Sequence, residues 1–118
     1  MMKKNYGDIL LFGGTATDTI CSFKTNAAYG AAKIALGSVV KSVANNYSDY
    51  NIKCNAILPG FVKTEYVTSE QENHYINLLG GKPMIEVCEI AELANQILSE
   101  RKLNGELVRF DRGWQRQN

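Results

Sequence analysis

The hydrophobic and polar positions form five blocks with two different periods. Ile9-Leu10-Leu11-Phe12 is an unbroken apolar run, preceded by Gly7-Asp8 and closed by Gly13-Gly14. A short apolar run bounded by glycines predicts a strand buried on both faces. Residues 15–27 are rich in Thr, Ser, Ala and Asn and predict an exposed loop. From about Ala28 to Tyr47 the period changes. Leu36, Val40, Val43 and Tyr47 recur at steps of four, three and four, which makes one apolar stripe on a helix. Small residues, Gly30 and Gly37 among them, crowd its first half and let another backbone approach closely.

A second strand is predicted at Ile52-Lys53-Cys54-Asn55-Ala56-Ile57-Leu58, stopped by Pro59-Gly60. Residues 61–83 look polar and irregular, with Gly80-Gly81 and Pro83 as breakers. From about Glu86 to Glu100 helical spacing returns, and Ile90, Leu93, Ala94, Ile97 and Leu98 form its expected buried face. Asn104-Gly105 then turns the chain into a last strand, Leu107-Val108-Arg109-Phe110. Strands alternating with helices imply a parallel sheet with crossover helices. The expected fold is α/β and Rossmann-like but truncated: one domain, residues 1–118, with three parallel strands side by side and two main crossover helices.

Composition narrows the function. Of 118 residues, 45% are hydrophobic and 21% charged, which excludes a disordered chain. The net charge of +1 leaves no basic field for nucleic acid. The apolar runs are too short for a membrane span or a signal peptide, so a cytoplasmic protein with no membrane partner is expected. Cys21, Cys54 and Cys88 lie 33 and 34 residues apart with no histidine beside them. That spacing argues against a metal site or a disulfide framework and predicts three reduced, mostly buried thiols. His74, the single histidine, has no partner at motif spacing.

The strongest local constellation is Tyr29-Gly30-Ala31-Ala32-Lys33. Four residues apart on a helix, Tyr29 and Lys33 share one face. An ammonium near a phenol stabilises the phenolate and makes the tyrosine a usable proton donor or acceptor. Context gives this common spacing its meaning. The motif follows a strand and a loop, and it precedes the strand ending in Asn55-Ala56-Ile57-Leu58-Pro59-Gly60-Phe61-Val62-Lys63-Thr64. Together these segments resemble the short-chain dehydrogenase/reductase family, of the 3-oxoacyl-carrier-protein reductase type. Residues 7–12 look like its fifth strand, Tyr29 and Lys33 like its catalytic YxxxK, and residues 55–60 like its sixth strand and PG turn. Residues 89–94 resemble its last helix, and residues 104–113 its last strand with a DGG-like end.

The resemblance implies an oxidoreductase that transfers hydride between NAD or NADP and a carbonyl or alcohol. It makes Tyr29 the general acid and Lys33 the residue that holds the nicotinamide ribose. It also makes Pro59, Gly60 and Val62 the backbone lining of the nicotinamide site, and Thr64 the threonine near the nicotinamide carboxamide or the cofactor phosphates. The family's substrate-holding serine falls on Gly14 or Thr15 when counted from the strand, and on Ala16 or Thr17 when counted back from Tyr29. Thr15 is the candidate to supply the hydroxyl. Arg112 stands where the family's closing motif has a glycine.

The family's first half, with its Gly-rich dinucleotide fingerprint, NAG segment and fourth-helix asparagine, is not in this chain. Gly13-Gly14 does not replace the fingerprint, because Thr15 and Asp18 occupy the positions that need glycine. Met1-Met2-Lys3-Lys4 resembles the tail of the fourth helix, so the chain resembles a C-terminal half. Two functions follow. One is an enzyme fragment, inactive alone and completed by an N-terminal half. The other is a non-catalytic interaction or oligomerisation domain derived from the family. In both, the unpaired outer edge of the first strand and the small-residue helix predict a homo-oligomer or a complementary half as partner.

Overall fold

The computed structural model describes residues 1–116. Three strands form the main sheet in the order β1-β2-β3: β1 is Gly7–Phe12, β2 is Ile52–Pro59 and β3 is Leu107–Phe110. Both pairings are parallel, with Ile9 opposite Cys54 and Ile57 opposite Val108. Helix α1, Ala27–Tyr47, crosses from β1 to β2. Helices α2, Ser69–Leu78, and α3, Val87–Ser99, lie in the crossover from β2 to β3. The predicted parallel α/β order holds.

Burial departs from the sequence expectation where strands are edges. Only Gly7 of β1 is fully buried, and Phe12 is 48% exposed. Among the described residues β1 has a strand on one side alone, so its other edge is open and residues 8–11 are only half-buried. Strand β2 is central, and its residues 52–58 are all buried. Its polar members are paired within the fold. Asn55 Nδ2 donates to Leu103 O at 3.1 Å, and Asn55 Oδ1 accepts from Glu106 N at 3.0 Å. Lys53 donates to Glu100 O and lies 3.6 Å from Asp8. These bonds fasten the central strand to the α3–β3 connection, where Gly105 turns at φ 80°. That left-handed turn suits glycine.

The helix stripes face the sheet as predicted, except at their C-terminal ends, where Tyr47 and Leu98 are exposed. In α1 the buried residues are Gly30, Gly37, Val40 and Ala44, while Leu36 and Val43 are half-buried and Tyr47 is exposed. The small residues on the same side let the helix backbone sit close to the sheet. A Cβ on Gly37 would lie 2.9 Å from Leu107 Cδ1. In α3 only Ile97 is fully buried; Ile90, Leu93 and Ala94 are half-buried and Leu98 is exposed.

Residues 61–83 are not irregular. They hold Val62–Lys63, which pairs in parallel with Ile85–Glu86 as a second small sheet, and α2. Thr68 and Gln71 cap α2 reciprocally: Gln71 N donates to Thr68 Oγ1 at 3.1 Å, and Thr68 N donates to Gln71 Oε1 at 3.0 Å. This capping box starts a helix that its polar sequence disguises. Lys63 Nζ lies 2.9 Å from Glu72 Oε2, and that carboxylate holds the ammonium above the ordinary lysine range. Residues 15–27 likewise turn inward at their start, where Ala16 and Thr17 are buried.

Only Cys54 fulfils the expectation of buried thiols; Cys21 is half-buried and Cys88 exposed. Burial pushes the Cys54 thiol up from its ordinary value of 9.0. The unfolded chain therefore loses this proton at lower pH than the folded chain. The stabilisation from this group is complete below about pH 9 and fades as pH rises through the higher folded value. Thiol labelling at pH 8 is expected to modify Cys88 at once and Cys54 only on unfolding. Rapid labelling of Cys54 in folded protein would contradict its burial.

Candidate active site

The ends of β1 and β2 and the first turns of α1 gather the predicted residues. Asn26 caps α1 at φ 55° with no side-chain cap bond, so the helix begins at Ala27, just before Tyr29. The Tyr29 side chain projects into the open and is 62% exposed. Lys33, one turn on, stands with Nζ 5.7 Å from the centre of the Tyr29 ring. The same ammonium donates to Phe12 O, at the end of β1, at 3.3 Å. The helix spacing therefore brings phenol and ammonium together beside the sheet, as the pattern implied.

Thr15 is engaged elsewhere. Its hydroxyl donates to Pro59 O at 2.8 Å, so in this arrangement its proton is not directed at a substrate oxygen. Thr17, buried, donates to Gly14 O at 2.7 Å. Gly14 lies against Lys33, and a Cβ there would sit 3.2 Å from the Lys33 side chain. The Pro59-Gly60 turn serves the fold: Gly60 N donates to Phe110 O at 2.9 Å, and a Cβ on Gly60 would strike Asp111 at 2.8 Å. Val62 pairs with Ile85, and exposed Thr64 accepts from Tyr66 N at 3.4 Å. Thus Thr15 and Pro59 meet, Tyr29 and Lys33 meet, and Val62 and Thr64 continue the chain away from the turn.

The structure adds residues that the sequence pattern did not single out. The Phe23 ring packs on Gly30, where a Cβ would lie 2.4 Å from it. Arg116 Nη2 donates to Thr15 O at 2.9 Å, and its guanidinium stacks 4.3 Å over Phe23. No local spacing links residues 23, 30 and 116, so only the fold could reveal them.

The enoyl-(acyl carrier protein) reductase family model matches residues 1–115. The chain belongs to the short-chain dehydrogenase/reductase family. The 3-oxoacyl-(acyl-carrier-protein) reductase of Escherichia coli is 28% identical over 97 residues, covering 82% of this chain and 39% of the relative. A 7alpha-hydroxysteroid dehydrogenase of Clostridium sardiniense is 32% identical over 72 residues, 60% of this chain and 28% of that protein. Among solved structures, an acetoin dehydrogenase from Salmonella typhimurium superposes with a TM-score of 0.77 at 26% identity, covering 95% of this chain and 45% of its own. A 3-oxoacyl-(acyl-carrier protein) reductase from Brucella melitensis has the same fold, with a TM-score of 0.83 at 24% identity over 97% of this chain and 44% of that one. The chain spans less than half the length of these short-chain dehydrogenase/reductase relatives.

Proposed function

We propose that this chain carries the proton-donating half of an NAD(P)-dependent oxidoreductase acting on a carbonyl or alcohol, and that it works when a cofactor-binding half completes it. The carrying observation is the exposed Tyr29 phenol one helical turn before Lys33, at the end of the parallel sheet. In reduction, Tyr29 Oη donates its proton to the substrate carbonyl oxygen; in oxidation it takes the proton back. Lys33 stabilises the resulting phenolate charge. Bound nicotinamide supplies or accepts the hydride.

The residues fit the nicotinamide end of NAD(P) and not its pyrophosphate end. Lys33 offers a cation to the ribose, and the Pro59-Gly60 turn ends the strand beside β1, with Val62 and Thr64 on the segment that follows. A pyrophosphate needs glycine amides that open directly into a helix. After Gly13-Gly14, α1 starts only at Ala27. The pyrophosphate end is therefore assigned to residues outside these 118, a complementary N-terminal half, and a homo-oligomer is the other association expected. The β1 edge, which has no strand on its outer side among the described residues, is the proposed docking edge.

Two features favour the alternative, a non-catalytic interaction domain: Gly14 lacks a hydroxyl, and Thr15 spends its proton on Pro59. The test mixes the pure chain with NADH or NADPH and a panel of ketones and acetoacetyl thioesters, following absorbance of the reduced cofactor. No steady turnover is expected from the chain alone. Turnover is expected after adding a separately expressed half that carries a Gly-rich strand–helix turn. Failure of every such mixture to turn over would leave the interaction domain as the reading.

A further inference from the structure

A cavity of about 500 Å³ opens between residues 22–25, the C-terminal end of α2 and residues 112–116. Lys24, Lys82, Arg112 and Arg116 line it, and among the described residues no carboxylate does. Phe23 and Trp114 supply its aromatic walls. Four cationic residues around one space favour an anion there.

One detail points to a ligand rather than to chance charge. Arg116 Nε is buried and has no hydrogen-bond partner among the described residues, although the same guanidinium is positioned by Thr15 O, Phe23 and Trp114. Buried donors are rarely left unpaired. Arg112 holds a left-handed backbone, φ 55°, at a position where the family motif has a glycine. Its Nε donates to Pro83 O at 2.7 Å, which fixes the guanidinium at the cavity rim.

Two contacts tie the cavity to the segments that carry the candidate acid and Thr15. Phe23, its wall, rests on Gly30 beside Tyr29, and Arg116 binds the carbonyl of Thr15. We propose that the cavity takes the anionic end of the substrate, a carboxylate or phosphate, while the substrate carbonyl reaches Tyr29. Only the assignment of this anion to a substrate rests on the oxidoreductase reading; the anion site stands on the cavity itself.

Trp114, the single tryptophan of the chain, lies in the cavity and reports on it by fluorescence. The chain is titrated with acetoacetate, with inorganic phosphate and with uncharged 2-butanone. Acetoacetate and phosphate are expected to give saturable changes, and butanone none. The tighter of the two anions identifies the headgroup. Arg116→Gln is expected to raise Kd about tenfold, as loss of a charge-assisted hydrogen bond does. Lys82→Gln, exposed and remote from the aromatic stack, is expected to raise it about threefold without disturbing the fold. An equal response to butanone, or an unchanged Kd in both variants, would overturn the anion site. Turnover is read separately in the completed enzyme. Saturable anion binding without Tyr29-dependent turnover would overturn the oxidoreductase reading and keep the site. Tyr29-dependent turnover without anion discrimination would do the reverse.

Discussion

In the completed enzyme, Tyr29→Phe is expected to lower kcat by about 10²- to 10⁴-fold, the range that a positioned general acid contributes. The substitution removes one oxygen and keeps the ring that stands by Lys33. Because the side chain is largely exposed, stability should change by less than about 0.5 kcal/mol. The thermal melt and the circular dichroism spectrum should therefore match the parent. KM should hold nearly constant, since the proton moves in the chemical step and not in binding. Holding the carbonyl against the hydride donor is a separate contribution, up to roughly 7–11 kcal/mol, which depends on the cofactor half. Full activity in Tyr29→Phe would remove Tyr29 from the chemistry.

Ile57→Ala is expected to produce the largest loss of stability, about 2–5 kcal/mol. Ile57 is wholly buried in the central strand, on the face opposite Cys54 and Ala56. The chain has little in reserve. Its Cα radius of gyration is 15.8 Å, against about 13.5 Å for a compact chain of this length. Helix α2 contributes no fully buried residue. Domains are stable by only about 5–15 kcal/mol, so the loss approaches the whole of a marginal stability. A urea titration should show a lower midpoint with an unchanged slope. Ile20→Ala, at a side chain 92% exposed, is the control and should change stability by less than about 0.5 kcal/mol. Equal midpoints for the two variants would refute the central position of Ile57.

The sheet was legible because its signals are local. Ile9-Leu10-Leu11-Phe12 and the 52–58 run are short apolar stretches with glycine or proline at their ends. The strand order followed from the helices between them. Depth of burial was not legible, because it depends on neighbours far away in sequence. An apolar run such as β1 reads the same at an edge as at a centre. In α1 the stripe of Leu36, Val40 and Val43 was legible, but the deeper burial of Gly37 and Ala44 beside it was not, because close backbone approach depends on the facing strand. Helix α2 escaped notice because Asn73, His74 and Asn77 are polar and indifferent helix formers, while its capping box, Thr68 and Gln71, was present all along. Within the site, the spacing of Tyr29 and Lys33 carried the geometry. The bond from Thr15 to Pro59 spans 44 residues and has no sequence signature. The cationic cavity likewise assembles from three separated segments.

The free edge of β1 has a consequence for engineering. A seam made of parallel-strand pairing is held by main-chain amides and carbonyls, which every residue but proline possesses in full. Side chains matter there only for the two faces they cover. Under the proposed docking at this edge, such a seam is permissive to exchange: upstream halves taken from divergent homologues can be offered to this one chain and selected by activity. Cofactor preference would then be swapped as a module, while Tyr29, Lys33 and the cationic cavity travel unchanged.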